Sequence, residues 1–533
     1  MRNYIDCNCR YGRVVQRDPA IAYEPSELNR EMERCGIHAA IVENELSVHY
    51  AYRPGNSALI DFCDENPRLY PLLCCTATYK WEQREGEAYL HELCRKASGI
   101  VARPKTSSFS LEPRAIEEFV GVLTGENLPL VLPASEIQIF DTGYSQLEAL
   151  LEAFPSLSVL LTGVSWGGAR YLFQLLERHG NLHFDLSDNQ LNGILEITKK
   201  YFGVERALFG SGYPNRCMGV IKALVEYADL SEHEKDMVSH GNACRLFGID
   251  KSELKPYREN MLDEIASTVD SGSPLDKWFV FDSHAHIADD DDDCVSQLLM
   301  PMANKDDIAS RMDRLGVDKI ILSAWEGIKT GGERANKTVY KAMTAYPGKI
   351  LGYATANPNY KGDIENAIEN LEQRGFLGLK PYAVLHGKLT DPEYARWLEY
   401  GNRRKMFVLV HSGSQEIADQ VAELAPRYRD LIFIMAHSGV DMSAARINVA
   451  LAKLNDNVVL EITYTSCTRG AIEYMVSELG SERVLFGTDT PMRDPAPQLA
   501  WVAYAEISVE EKLDILGRNM QKIVDRVLPP CGM

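Results

Sequence analysis

The residues of this chain best suited to chemistry lie in its second half, and they recur at one kind of position. Asp282-Ser283-His284-Ala285-His286 closes one short apolar run, Lys380 closes another, and His411, His437 and Asp489 close three more. An extended strand turns residues two apart to the same side, so both imidazoles of the His284/His286 pair face one point. Neutral imidazole suits zinc, iron and similar cations, which makes this pair a natural two-donor cation site. The second half holds five histidines, and four of them, His284, His286, His411 and His437, stand at strand ends. The fifth, His386, lies in a loop six residues past Lys380, where it either faces the same mouth or is solvated.

Further residues sit close to these positions. Arg493, four residues past Asp489, and Arg469, after the seventh run, are candidate anchors for a substrate carboxylate. Trp325 and Glu326 follow the second run and are candidate pocket walls. The acidic run 289–293 comes directly after His286, on a loop at the same face. Such a run is ordinarily solvated, and its functional reading is a raised local concentration of cations.

Eight apolar runs must place these side chains: Trp278–Asp282, Lys319–Ser323, Ile350–Ala354, Phe376–Lys380, Met406–His411, Leu431–His437, Asn457–Thr463 and Arg483–Asp489. Amphipathic segments such as Ile364–Arg374 and Ser414–Ala425 separate them. Eight strands alternating with helices in about 250 residues are the pattern of a (β/α)₈ barrel, whose active site forms at the strands' C-terminal ends. A doubly wound open sheet is the alternative, weakened by the absence of a glycine-rich phosphate loop after the first strand.

The chain also repeats itself. Met32-Glu-Arg-Cys-Gly-Ile-His reads like Met312-Asp-Arg-Leu-Gly-Val-Asp, and Leu208-Phe-Gly-Ser-Gly-Tyr-Pro214 like Leu485-Phe-Gly-Thr-Asp-Thr-Pro491, at offsets of 280 and 277. A near-constant offset from end to end implies a tandem duplication. Two TIM-like α/β barrels are expected, over 1–257 and 278–533, joined by a linker over 258–277 that carries no apolar periodicity.

With the elements placed, the motifs resemble the amidohydrolase superfamily. The Gly-Leu-Lys-Pro, Ala-His-Ser-Gly and Leu-Phe-Gly-Thr-Asp-Thr-Pro contexts are most similar to its amidohydrolase-related branch. That branch holds metal-dependent hydrolases and nonoxidative decarboxylases similar to aminocarboxymuconate-semialdehyde decarboxylase. The resemblance implies His284, His286, His411 and Asp489 as metal ligands, with His437 as an acid/base beside them. A divalent metal lowers the pKa of bound water toward roughly 7, and Asp489 can take up the proton released. In binuclear relatives a lysine at the position of Lys380 is carboxylated and bridges two metals. In this branch it more often stays an amine, so one metal is expected: zinc first, with manganese and iron as alternatives. The implied activity is hydrolysis of a small organic acid, lactone or amide. Decarboxylation at the same site is the alternative, and an inert ligand-binding protein a third reading.

The repeat offset strips the first half of this chemistry. His284 and His286 become Asn8 and Arg10, Lys380 becomes Arg103, His411 becomes Pro133, and His437 and Asp489 become Gly163 and Gly212. That half is expected to be non-catalytic. Because members of the branch are commonly homodimers, the fused copy is expected to pair with the active barrel, a homo-oligomer being the other arrangement.

The whole chain agrees with a small-molecule enzyme. It has 533 residues and a net charge of −20, a balance repelled by nucleic-acid phosphates and anionic lipid. Its 12 cysteines show neither CxxC nor zinc-ribbon spacing and read as buried reduced thiols. No apolar run approaches the roughly 20 residues of a membrane span, and a cytoplasmic location is expected.

Overall fold

The computed structural model describes residues 2–14, 18, 23–137, 142–254, 261–289 and 298–529. Two parallel eight-stranded sheets follow one another along the chain, each in strictly sequential strand order. The first comprises β1 (Ile5–Tyr11), β2 (Ala39–Asn44), β3 (Leu69–Cys74), β4 (Gly99–Val101), β5 (Leu130–Pro133), β6 (Val159–Thr162), β7 (Leu182–Asp185) and β8 (Ala207–Leu208). The second comprises β9 (Phe281–Ile287), β10 (Lys319–Ala324), β11 (Ile350–Ala356), β12 (Gly378–Pro381), β13 (Phe407–His411), β14 (Ile432–Ala436), β15 (Val458–Glu461) and β16 (Val484–Leu485).

Each sheet closes on itself. Cys7 N donates to Phe209 O and Ser283 N to Phe486 O, both at 3.0 Å, so the residue after the last strand reaches the first. Helices lie between the strands, and the molecule is two tandem (β/α)₈ barrels rather than an open doubly wound sheet. The strands read as unbroken apolar runs because both of their faces are covered; every residue of β14 is buried. The helices carry one apolar face each. Gln415–Leu424 starts at Ser414, whose side chain accepts from Ile417 N, and it buries Ile417, Val421 and Leu424 at helical spacing.

The repeat extends to individual hydrogen bonds. Arg206 donates to Leu176 O and His179 O, and Arg483 to Ala452 O and Asn455 O. Asn242 donates to Val204 O and Ala207 O, and Asn519 to Ser481 O and Val484 O. Capping boxes recur at Ser231/Glu234 and Ser508/Glu511.

All eight strands expected in the second half shift at one end or both, and the last stops at Leu485, four residues before Asp489. β9 begins at Phe281 rather than Trp278 and contains the whole His284/His286 pair. Its pairing with β10 slips between Ile320 and Leu322, a bulge at the stretch that must aim the histidines. The expected linker also contains a helix, Glu264–Asp270, capped by Asp263 and burying Ile265, Ala266 and Val269. Seven residues are fewer than the roughly 11–18 over which helical periodicity is read, which is why the segment looks aperiodic in sequence. The chain divides into two compact units after Leu262, and residues 258–260 lie outside the described ones. Among the described residues no helix is long and apolar enough to cross a membrane. Ten cysteines are described, all of them buried and free.

Candidate metal centre

A buried carboxyl anchors the second mouth from below. Asp282 Oδ1 accepts from the backbone N–H of His284 and of Thr488, both at 3.1 Å, and Oδ2 is bonded to Thr488 Oγ1. One side chain thus ties the histidine strand to the loop that carries Asp489. Asp489 N in turn donates to His284 O at 2.7 Å.

The side chains above this anchor converge. His286 Nε2 lies 3.0 Å and His284 Nε2 3.6 Å from Asp489 Oδ1, and all three residues are buried. Lys380 Nζ, from the end of β12, stands 3.3 Å from His284 Nε2. Arg493 Nη1 is 3.2 Å from Asp489 Oδ2, with its guanidinium over the Tyr464 ring. Burial pushes the Asp489 carboxyl upward, but Arg493, the bond from His286 and the His284 ring together hold it well below the usual carboxylate range. Burial, then the nearby Lys380, holds His284 well below its ordinary value, and burial followed by His411 does the same for His437. Burial also brings Lys380 down to about 8.

The far nitrogen of each central imidazole has a partner. His437 Nδ1 lies 2.8 Å from Thr463 O and His286 Nδ1 3.3 Å from Ser323 O. A carbonyl only accepts, so in His437 Nδ1 carries the hydrogen and Nε2 keeps its lone pair, while His286 Nδ1 also meets the Ser323 hydroxyl at 3.1 Å. His284 Nδ1 is 2.9 Å from Glu461 Oε2. Two imidazole nitrogens and one ionised carboxylate oxygen at a single point fit a divalent cation.

The remaining expected residues divide. His437 meets His284 and His411 at ring-centroid distances of 5.0 and 4.6 Å. His411 ends β13 exposed and belongs to no group of three whose donor atoms lie within 4.8 Å of one another. Trp325 is buried edge-on to His286 at 6.0 Å. Arg469 is buried in the loop between β15 and the helix Ala471–Leu479. His386 is neither solvated nor in a plain loop: it ends the short helix Ala383–His386, is buried, and places Nε2 2.9 Å from Ile328 O. Glu326 is partly exposed and pairs with Arg334 at 3.2 Å. Asp289 pairs with Lys341 at 3.3 Å, and residues 290–293 of the acidic run lie outside the described ones.

Glu461 is the functional residue that sequence reading passed over. Besides His284 Nδ1 it accepts from His437 N at 3.3 Å and Thr463 N at 2.6 Å, so one carboxyl fixes two of the histidines. Burial pushes it up to about 7 against its hydrogen bonds from Thr463. The available signal was an acidic residue closing the apolar run Val458-Val459-Leu460.

The first mouth keeps the scaffold and replaces the donors. His437 and Asp489 both adopt left-handed backbone, at φ 61° and 59°, and their counterparts Gly163 and Gly212 have φ 69° and 76°. Asp185 takes the place of Glu461, accepting from Gly163 N at 2.7 Å and from Asn8 Nδ2 at 3.0 Å. Asp6 repeats the anchor of Asp282 through Asn8 N and Ser211 N. One expected correspondence shifts. Strand register pairs Cys74 with Val101 and Thr355 with Lys380, so Val101 replaces the lysine. Arg103 lies two residues further and makes a two-pronged ion pair with Glu43 at 3.2 and 2.6 Å. A cavity of about 170 Å³ remains, lined among others by Asn8, Arg10, Glu43, Arg103 and Gly163.

Residues 281–526 match the sequence profile of the amidohydrolase family. That match spans 246 of the 533 residues and lies within the second barrel. No curated protein sequence matches the chain. Among solved structures it is similar to a dihydroxybenzoic acid decarboxylase of Polaromonas sp. JS666 holding manganese and 2-nitroresorcinol, at 16% identity and TM-score 0.39, over 46% of this chain and 97% of that one. A 2,6-dihydroxybenzoate decarboxylase from Rhizobium is similar at 16% identity and TM-score 0.39, over 46% and 99%. A putative amidohydrolase from Staphylococcus aureus is similar at 16% identity and TM-score 0.38, over the same shares.

Proposed function

We propose that the second barrel is a metal-dependent hydrolase of a small organic acid, lactone or amide, and that the first barrel is non-catalytic. The observation that carries this reading is the approach of His284 Nε2 and His286 Nε2 to one oxygen of an ionised Asp489. His284, His286 and Asp489 hold the cation, with His411 as the fourth candidate at the exposed rim. A divalent cation there supplies Lewis acidity to the reacting group. Asp489, kept ionised by Arg493, accepts a proton from the attacking water. His437 is held neutral, with Nδ1–H on Thr463 O; its Nε2 accepts the water's other hydrogen and so orients it. Lys380, 3.3 Å from His284 Nε2, offers a donor to a substrate oxygen beside the centre. The same cation also suits a carboxylate substrate, and this favours decarboxylation as the second reading.

Elemental analysis of the full chain tests the assignment, on wild type and on the double variant His284→Ala/His286→Ala. The variant is expected to hold one divalent cation fewer per chain. Assays on lactones, amides and aromatic carboxylic acids then separate the chemistries, a released acid supporting hydrolysis and released CO₂ the second reading. Equal metal content in both chains after reconstitution overturns the metal-dependent reading.

A further inference from the structure

Outside both mouths, one group of metal-binding atoms is buried in the first unit. Glu31 and Cys35 lie one turn apart on the helix Pro25–Cys35, and Cys217 is the N-cap of the helix Met218–Glu226. Cys35 Sγ stands 3.6 Å from Cys217 Sγ and 3.6 Å from Glu31 Oε1. Donor atoms of all three residues, each of them buried, lie within 4.8 Å of one another, and none of the three lines the first mouth. A tetrahedral zinc with Zn–S near 2.3 Å sets its two sulfurs about 3.7 Å apart, so the pair already spans one edge of such a site.

The surrounding cations favour ligand chemistry. Arg34 Nη2 donates to Cys217 Sγ at 3.1 Å and to Glu31 Oε1 at 3.0 Å. Outer hydrogen bonds of this kind orient metal ligands. Lys222 Nζ faces the cluster from the other helix, donating to Cys35 O at 2.9 Å. The second barrel shows what the same place holds otherwise. There the repeat puts Arg311, Leu315 and Asp494, and Arg311 Nη2 bonds both Asp494 oxygens at 2.7 Å. Opposite charges tie that helix to that N-cap. In the first barrel both ends of the tie are acceptors, bridged by Arg34 Nη2, with Cys35 Sγ placed beside them as a third donor atom.

We propose that Glu31, Cys35 and Cys217 bind a thiophilic divalent cation of the zinc type, which fastens the helix Pro25–Cys35 to the start of Met218–Glu226. Soft thiolates select such a cation over magnesium or calcium, and three protein donors leave one tetrahedral corner for a small exogenous ligand. The site is independent of the one assigned to the second barrel.

Cobalt(II) added to the full, metal-stripped chain is the probe, because thiolate ligation gives a charge-transfer band in the near ultraviolet that imidazole and carboxylate do not. The band is expected in wild type and in the His284→Ala/His286→Ala chain, and its loss is expected in Cys35→Ser/Cys217→Ser. Glu31→Gln keeps both sulfurs and is expected to weaken cobalt binding about tenfold, at the low end for loss of a metal partner. The wild-type readout stands even if a cysteine variant fails to fold. A wild-type chain without the band overturns the proposal, as does an intact mass short of two hydrogens, which would make the pair a disulfide.

Discussion

At the scale of single residues, the second mouth is governed by a carboxyl that acts through two histidines. Glu461 holds His284 through Nδ1 and His437 through its backbone N–H. Glu461→Gln keeps the shape but removes a charged acceptor from an imidazole ligand, and metal affinity is expected to fall about 10–100-fold. Competition against a chelator of known affinity measures it. A second prediction concerns His183 in the first barrel, which burial holds down at about 4 and whose Nδ1 has no partner. Strand register places Val459 at the equivalent position. The unfolded imidazole binds a proton below pH 6.5 and the folded one only below about 4. Stability is therefore lost as pH falls through that window, by on the order of 3 kcal/mol at full shift. His183→Val is expected to flatten the pH dependence of the first unit's melting between pH 6.5 and about 4.

At the scale of elements, the strand ends set both the chemistry and its cost. His437 occupies left-handed backbone that disfavours a residue with a Cβ, while Gly163 adopts it freely at the same place. His437→Gly is expected to stabilise the second barrel by about 1 kcal/mol in chemical unfolding. The same substitution should lower turnover about 10²–10⁴-fold, the range for loss of an acid/base. The order of the strands and the alignment of the histidines at their ends were legible in the sequence, because parallel strands buried on both faces leave unbroken apolar runs with polar residues only at the exits. The bulge in β9 was not legible, since Asp282 to Ile287 looks the same whether or not its register slips. Glu461 was overlooked because its partners are brought together only by closure of the barrel. His386 was misjudged because a loop position in sequence says nothing of a carbonyl such as Ile328 O waiting for it.

At the scale of the whole molecule, two compact units with separate cores make metal binding a local event. In the Cys35→Ser/Cys217→Ser chain, a cation at 100 times its dissociation constant is expected to raise the second unit's unfolding free energy by about 2.7 kcal/mol. The first unit's transition should not move. Calorimetry across a metal titration resolves the two. Coincident shifts would mean that the units unfold as one.

The glycine at 212 shares its space with the end of an arginine. A Cβ there would come within 2.6 Å of Arg216 Nη1, and Asp188 holds that arginine in an ion pair. In the second barrel the equivalent Arg493 lies over Tyr464, leaving room for Asp489. Gly212→Asp therefore requires the Arg216 guanidinium, the flexible end of a side chain, to shift from its pairing with Asp188, and Asp188→Tyr is expected to ease that shift. Melting temperatures of the two single variants and the double would show this as strong non-additivity. The two positions are coupled through one arginine, so a change at either alters what the other tolerates.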